Sequence, residues 1–196
     1  MTAESFGAHM PASLTLDDLA VMAAADEHGH RYELSPEGDL SVMPPAGVAH
    51  AIIASKLLTW FVLAGWAADQ VLQNCGLRTA VSDGTGGRVP DLTVWSTAPK
   101  SGLVWAPLDG LVLAVEIVSW GSEAIDRIIK KDEYAKAGIP RYWIVDQDGA
   151  DTVTMWELAP TGYVETLPSP QPLAWVLNSD LARELREAHG EESRRR

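Results

Sequence analysis

Two spacings of apolar residues alternate along this chain, and the switches between them mark its elements. Thr15 opens a run over residues 16–22 with Asp17 and Asp18 in its first turn, as a helix start prefers, and Gly29 is its predicted stop. Arg31-Tyr32-Glu33-Leu34 and residues 39–43 read as two strands joined by the turn Ser35-Pro36-Glu37-Gly38. Pro44, Pro45 and Gly47 break the pattern. Ile52, Ile53, Leu57, Trp60, Phe61 and Ala64 then recur at helical spacing, which predicts a second helix over residues 48–65 with one apolar face. Residues 71–81 read as a strand, residues 82–87 as a turn-rich loop, residues 88–95 as a further strand and residues 97–109 as a longer loop.

The segment Leu111-Val112-Leu113-Ala114-Val115-Glu116-Ile117-Val118 differs from the rest. It is apolar without alternation, so it is expected at the centre of a sheet, buried on both faces. Ser122 is predicted to cap a third helix reaching Ala137, with Gly138 ending it. A strand over residues 141–146, a hairpin-like finish at 153–158 and 163–166, and a short helix from Ser179 complete the pattern. The whole predicts one α/β domain over residues 15–188, preceded by a mobile arm (residues 1–14) and followed by a disordered charged tail (residues 189–196). There are no internal repeats and no linker that would divide it.

Composition narrows the picture. Of 196 residues 46% are hydrophobic, enough for a real core, and the eight tryptophans are expected to fill that core or a subunit interface. A single cysteine, Cys75, excludes an intramolecular disulfide and is expected to be buried rather than reactive. The N-terminus lacks a basic segment followed by an apolar run, and the apolar stretches at 60–68 and 111–118 are too short for a membrane span. A soluble, cytoplasmic protein is expected. The net charge of -12 works against nucleic acid, whose phosphates are met by lysine and arginine. Residues 126–141 hold the local exception: Arg127, Lys130, Lys131, Lys136 and Arg141 against three acids.

Glu116 is the strongest chemical clue. A carboxylate inside an apolar strand costs several kcal/mol unless it neutralises, pairs or binds a metal. The plain alternative is a structural salt bridge with Lys130 or Arg88. Asp91 follows Pro90 at a strand start or edge. Alone it reads as a turn residue. If its strand neighbours that of Glu116, both carboxylates face one point, as a hard Mg²⁺ or Mn²⁺ requires. Asp126, Lys130 and Tyr134 fall at i, i+4 and i+8 on one helical stripe. That stripe is either an exposed ion pair with a packing tyrosine or, beside a carboxylate pair, a lysine that positions a water or meets developing phosphate charge. Glu33 approaches the same region or faces solvent from an edge strand. His50 fits a cap or packing residue, and Ser119 fits a turn cap or a hydrogen bond in the site. No zinc signature, phosphate loop or dinucleotide fingerprint is present.

Taken in order, Tyr32-Glu33-Leu34, His50, Val89-Pro90-Asp91, Val115-Glu116-Ile117-Val118-Ser119, Asp126-Arg127…Lys130…Tyr134 and Ala137-Gly138-Ile139-Pro140…Tyr142-Trp143-Ile144-Val145-Asp146 resemble the Uma-two family of bacterial restriction endonucleases, within the PD-(D/E)XK nuclease-like superfamily. The resemblance spans residues 15–175 or so. It implies a restriction-endonuclease-like core, a mixed central sheet flanked by helices. It also implies metal-binding roles for Asp91 and Glu116, a catalytic Lys130 and an assisting Glu33. The usual lysine two residues after the glutamate would fall on Val118, so the lysine comes from the following helix, with Lys131 less well aligned. Trp120, Arg141 and the longer turn at 35–38 depart from the family pattern without removing a ligand.

The sequence therefore predicts a Mg²⁺- or Mn²⁺-dependent DNA endonuclease, working as a homodimer. The rival of another class is a non-catalytic scaffold that keeps the fold and binds protein partners or itself. A third reading is an enzyme acting on small phosphate esters or nucleotides, which the acidic charge favours over long duplex recognition.

Overall fold

The computed structural model describes residues 13–79, 86–119 and 121–195, with side chains as far as His189. Residues 1–12 of the predicted arm, residues 82–85 of the predicted loop, and Trp120 lie outside them. Helix α1 (Leu16–Ala25) begins as predicted: the Thr15 hydroxyl accepts from the Asp18 N–H, and Asp18 accepts from the Thr15 N–H. Strands β1 (Arg31–Leu34) and β2 (Leu40–Met43) form a hairpin whose turn is held by the Ser35 hydroxyl, which accepts from the N–H groups of Glu37 and Asp39. Helix α2 (Val48–Leu63) ends just before Gly65, whose φ of +96° suits only glycine.

Two predicted strands are each broken in two. The first divides into β3 (Val71–Gln73) and β4 (Gly76–Arg78) because Asn74 takes a left-handed conformation, φ 51°. The second divides into β5 (Gly87–Arg88) and β6 (Leu92–Trp95) because Pro90 has no N–H for a ladder. The predicted loop at 97–109 contributes the short β7 (Trp105–Ala106). Then come β8 (Leu111–Val118), a helix whose first part, Ile125–Lys130, is π-helical and whose last part is α3 (Lys131–Lys136), β9 (Arg141–Asp146), β10 (Thr152–Ala159), β11 (Gly162–Glu165) and β12 (Gln171–Pro172). Helices α4 (Leu173–Leu177) and α5 (Leu181–Arg195) close the described chain. The backbone of α5 continues through the segment expected to be a tail, where glutamate and arginine are good helix formers.

The mixed α/β architecture is as expected, with one elaboration: the strands form two sheets. The larger has the order β11-β10-β9-β8-β6-β3, with β12 beside β10; the smaller has the order β2-β1-β5-β4-β7. Strand β8 lies in the middle of the larger sheet, antiparallel to β6 and parallel to β9, and all eight of its residues are buried. From Leu113 onward its side chains alternate between two cores. Leu113, Val115 and Ile117 join α2, where Ile53, Leu57, Trp60 and Phe61 pack beneath Trp143. Ala114 and Val118 join the opposite core around Tyr134, Tyr142 and Ile144. Six of the eight tryptophans are buried, five in these two cores and Trp105 against Leu16, Leu19 and Leu34, while Trp175 is exposed.

The period of two along β8 places Glu116 on the Tyr134 side. The helix between β8 and β9 crosses that same side and carries Lys130 and Tyr134 towards it. Among the described residues no helix is long and apolar enough to cross a membrane.

Candidate active site

Strand register builds the carboxylate pair. Leu92 lies opposite Val115, so Asp91, one residue before β6, comes opposite Glu116. Asp91 Oδ2 accepts from the Ile117 N–H at 2.7 Å. Both carboxylates are buried, and both line a cavity of about 680 Å³ between the β2–α2 connection and the start of the π-helical segment. Lys130 enters from the helix. Its Nζ lies 3.0 Å from Glu116 Oε1, 3.1 Å from Glu33 Oε1 and 3.5 Å from Asp126 Oδ1. The Tyr134 hydroxyl donates to the same Glu116 oxygen at 2.7 Å. Among the described residues none donates to Glu116 Oε2.

The small sheet supplies the other wall. Leu34 pairs with Gly87, which sets Glu33 beside Arg88. Arg88 donates to Glu33 Oε2 at 3.1 Å and grips Glu133 with two hydrogen bonds, at 2.6 and 2.7 Å. Arg31 Nη1 reaches Asp91 Oδ1 at 2.5 Å and Asn74 Oδ1 at 3.0 Å. His50, in the first turn of α2, brings Nε2 to 3.0 Å from Asp91 Oδ2, off the line of a hydrogen bond.

Charge in this cluster is unbalanced. Five buried carboxylates, Glu33, Asp91, Glu116, Asp126 and Glu133, face three permanent cations, Arg31, Arg88 and Lys130, which leaves a surplus of two negative charges when all are ionised. Burial pushes Glu116 well above the usual carboxylate range; Lys130 opposes this, while Asp91, Asp126 and Glu33 push the same way. Asp126 is raised by burial too, against Lys130 and the Ser122 hydroxyl. For Asp91 burial is outweighed by His50, Arg31 and the Ile117 N–H, so its carboxyl sits below the usual value. Burial would lower the Lys130 pKa, but Glu116, Glu33 and Asp126 outweigh it and keep the ammonium charged.

The structure thus gathers Asp91, Glu116, Lys130 and Glu33 in one place, with the predicted Asp126–Lys130 contact present but buried rather than exposed. The predicted salt bridge to Glu116 goes to Lys130, whereas Arg88 serves Glu33 and Glu133. Ser119 caps a turn: its carbonyl accepts from the Ser122 hydroxyl at 3.0 Å. Cys75, expected to be buried, is half-buried, and that burial raises its thiol. Arg31, Glu133 and the contact of His50 with Asp91 were missed. An arginine one position before Tyr32-Glu33 and an acid three positions after Lys130 were the available signals. The predicted basic excess at 126–141 is matched by neighbours within the chain, although Lys136 and Arg127 remain exposed. Lys130 is buried, Arg127 pairs with Asp146, Lys136 with Asp132 and Arg141 with Glu157, and Lys131 lies over the Trp156 ring at 4.3 Å.

The donor set fits a hard divalent ion. Two carboxylates on adjacent strands present oxygens to a cavity, and the surplus of two negative charges is what such an ion offsets. Among the described residues no group of three or more His, Cys, Asp or Glu side chains is placed to hold a metal ion. Mg²⁺ commonly takes one or two carboxylates and keeps several waters, so two protein ligands suffice.

Comparison with known proteins agrees with this architecture. No curated protein matches the chain. The crystal structure of a "putative nuclease belonging to DUF820" from Anabaena variabilis superposes with a TM-score of 0.60 at 16% sequence identity, covering 88% of this chain and 98% of that one. At that identity the likeness is one of fold. The sequence model of the Uma2 family, described as "Putative restriction endonuclease", matches residues 16–189, nearly the whole chain. The protein belongs to the Uma2 family and has a nuclease-like fold.

Proposed function

We propose that the protein is a Mg²⁺- or Mn²⁺-dependent phosphodiesterase that cuts DNA, with Asp91 and Glu116 as the metal ligands. The observation that carries this reading is the placement of these two carboxylates opposite each other at a cavity, with Lys130 3.0 Å from Glu116. The ion would supply Lewis acidity and neutralise charge on the scissile phosphate. Lys130, kept charged by its three carboxylates, donates a hydrogen bond to the attacking water or to the phosphate oxygen as charge develops. Glu33 also holds Lys130 and accepts from the Val89 N–H at 2.9 Å, so it positions the lysine. Tyr134 fixes the orientation of Glu116 by donating to Oε1.

The paired basic residues of the helix and the net charge of -12 favour a restricted substrate, such as a strand end or a short single strand, over broad duplex binding. The test is cleavage of plasmid and single-stranded DNA with Mg²⁺, Mn²⁺ or a chelator. Asp91→Asn, Glu116→Gln and Lys130→Met should each lose at least a hundred-fold of the metal-dependent rate. Three variants that cut as well as the unaltered chain would overturn the assignment.

A second reading is a non-catalytic scaffold. It is favoured by the guanidinium of Arg31 resting on Asp91, which makes the cluster resemble a closed structural ion network. Val48, Ile52 and Leu63, exposed along α2, would then meet a second copy of the chain. Calorimetry with Mg²⁺ separates the two readings, because the scaffold shows no carboxylate-dependent binding at millimolar ion.

A further inference from the structure

Two permanent cations line the cavity, and they are held differently. Lys130 is buried among three carboxylates. The Arg31 side chain is 22% exposed and rests through one nitrogen, Nη1, on a single carboxylate and on the Asn74 amide oxygen. Among the described residues its buried Nε has no hydrogen-bond partner. A guanidinium frequently binds a carboxylate through two parallel hydrogen bonds. This one uses one nitrogen and leaves the rest of its fork idle, so it is the less committed cation.

The oxygen it covers matters. Asp91 Oδ2 is already taken by the Ile117 N–H, and His50 Nε2 lies against it. Oδ1 is therefore the less crowded oxygen for an added cation, and Arg31 sits on it. In the present arrangement Arg31 and a divalent ion would compete for Oδ1. With all five carboxylates ionised, withdrawal of Arg31 leaves three surplus negative charges; a divalent ion reduces that to one, and the guanidinium is freed for another anion.

We infer that Arg31 is an exchangeable counter-ion. It neutralises Asp91 while the site is without metal, yields Oδ1 to the entering ion, and turns its guanidinium to a phosphate oxygen of the substrate in the same cavity. Asn74 is the positioning residue that holds Arg31 in its metal-free place. The inference rests on the reading that Asp91 and Glu116 bind the ion.

The test uses one substitution with two readouts of opposite sign. Titration calorimetry with MnCl₂ on the full chain at pH 8 should show Arg31→Gln binding the ion about ten-fold tighter than the unaltered protein, since a charge-assisted competitor has gone. In Ca²⁺, fluorescence anisotropy with a short labelled oligothymidylate should show the same variant binding about ten-fold more weakly, with partial rescue by Arg31→Lys. Loss of a merely structural contact would weaken both. Asn74→Gly keeps a backbone that tolerates positive φ and should tighten metal binding in the same direction by less, which decides the matter if Arg31→Gln does not fold. Unchanged or weaker metal binding in the variants, with the unaltered protein binding the ion, overturns the role of Arg31 and leaves the metal site standing. No carboxylate-dependent binding by the unaltered protein overturns both.

Discussion

Replacing Lys130 by methionine removes one cation from a cluster that already has too few. The Nζ lies between 3.0 and 3.5 Å from three carboxylates and the side chain is 3% exposed, so water cannot take its place without rearrangement. Removing one partner of a buried ion pair costs about 3–5 kcal/mol, because an uncompensated charge remains. Protonation sets a ceiling. Neutralising one glutamate of ordinary pKa costs about 1.36 kcal/mol for each pH unit above about 4.3, hence about 5 kcal/mol at pH 8 and about 2 kcal/mol at pH 6. Glu116 is the group that takes the proton, since burial already holds it well above the usual range. The sign follows from linkage. An acid with a raised folded pKa binds a proton that the unfolded chain releases, so stability falls as pH rises between the two values, and losing Lys130 raises the folded value further. The lysine itself contributes no slope in this window: its folded pKa is raised, so its stabilisation is fully present below its unfolded value and fades only in strong alkali. Urea unfolding followed by tryptophan fluorescence, with chelator present, should therefore show Lys130→Met less stable by about 3–5 kcal/mol at pH 8 and by about 2 kcal/mol at pH 6. A loss under about 1 kcal/mol at pH 8, or the same loss at both pH values, would refute the view that this ammonium is the cluster's buried counter-charge.

Two further predictions concern the frame. A Cβ at Gly76 would stand 2.5 Å from the Val104 carbonyl oxygen and 2.9 Å from the Trp105 ring, so Gly76→Ala should separate β4 from β7 and cost about 1–3 kcal/mol in urea midpoint analysis. Phe61 is fully buried between Trp60, Trp66 and Trp143, and Phe61→Ala should cost about 3–5 kcal/mol; melting within a degree of the unaltered protein would show that α2 is not packed as described.

Much of the site was legible because Glu116 stands in a strand with no other polar residue. An isolated acid in such a strand demands a partner, and the next helix offered Lys130 and Tyr134 at matching spacing. Asp91 became legible only through Glu116, since their meeting depends on which strands pair. Arg31 was not legible. Its partner lies 60 residues away in the chain, and the contact depends on a bend at Asn74 that broke a predicted strand. Pro90 broke another, which the absence of an N–H explains but the apolar spacing on either side concealed. The π-helical segment was hidden for a similar reason: Ile125, Ile128 and Ile129 are partly or largely exposed, so their pattern does not report which residues turn inward.

Val118 occupies the place where a lysine would share a strand with Glu116, and it packs in the Tyr134 core instead. With the lysine on a helix and the aspartate at the end of another strand, no two of the three groups belong to the same element. A chain emerging from the ribosome, or one that has lost the docking of that helix, carries the carboxylates without the ammonium. The constellation comes into being only when the last of its elements is seated. The hydrolytic chemistry proposed here would then appear and vanish with the tertiary structure as a whole, and a damaged copy would be inert rather than indiscriminate.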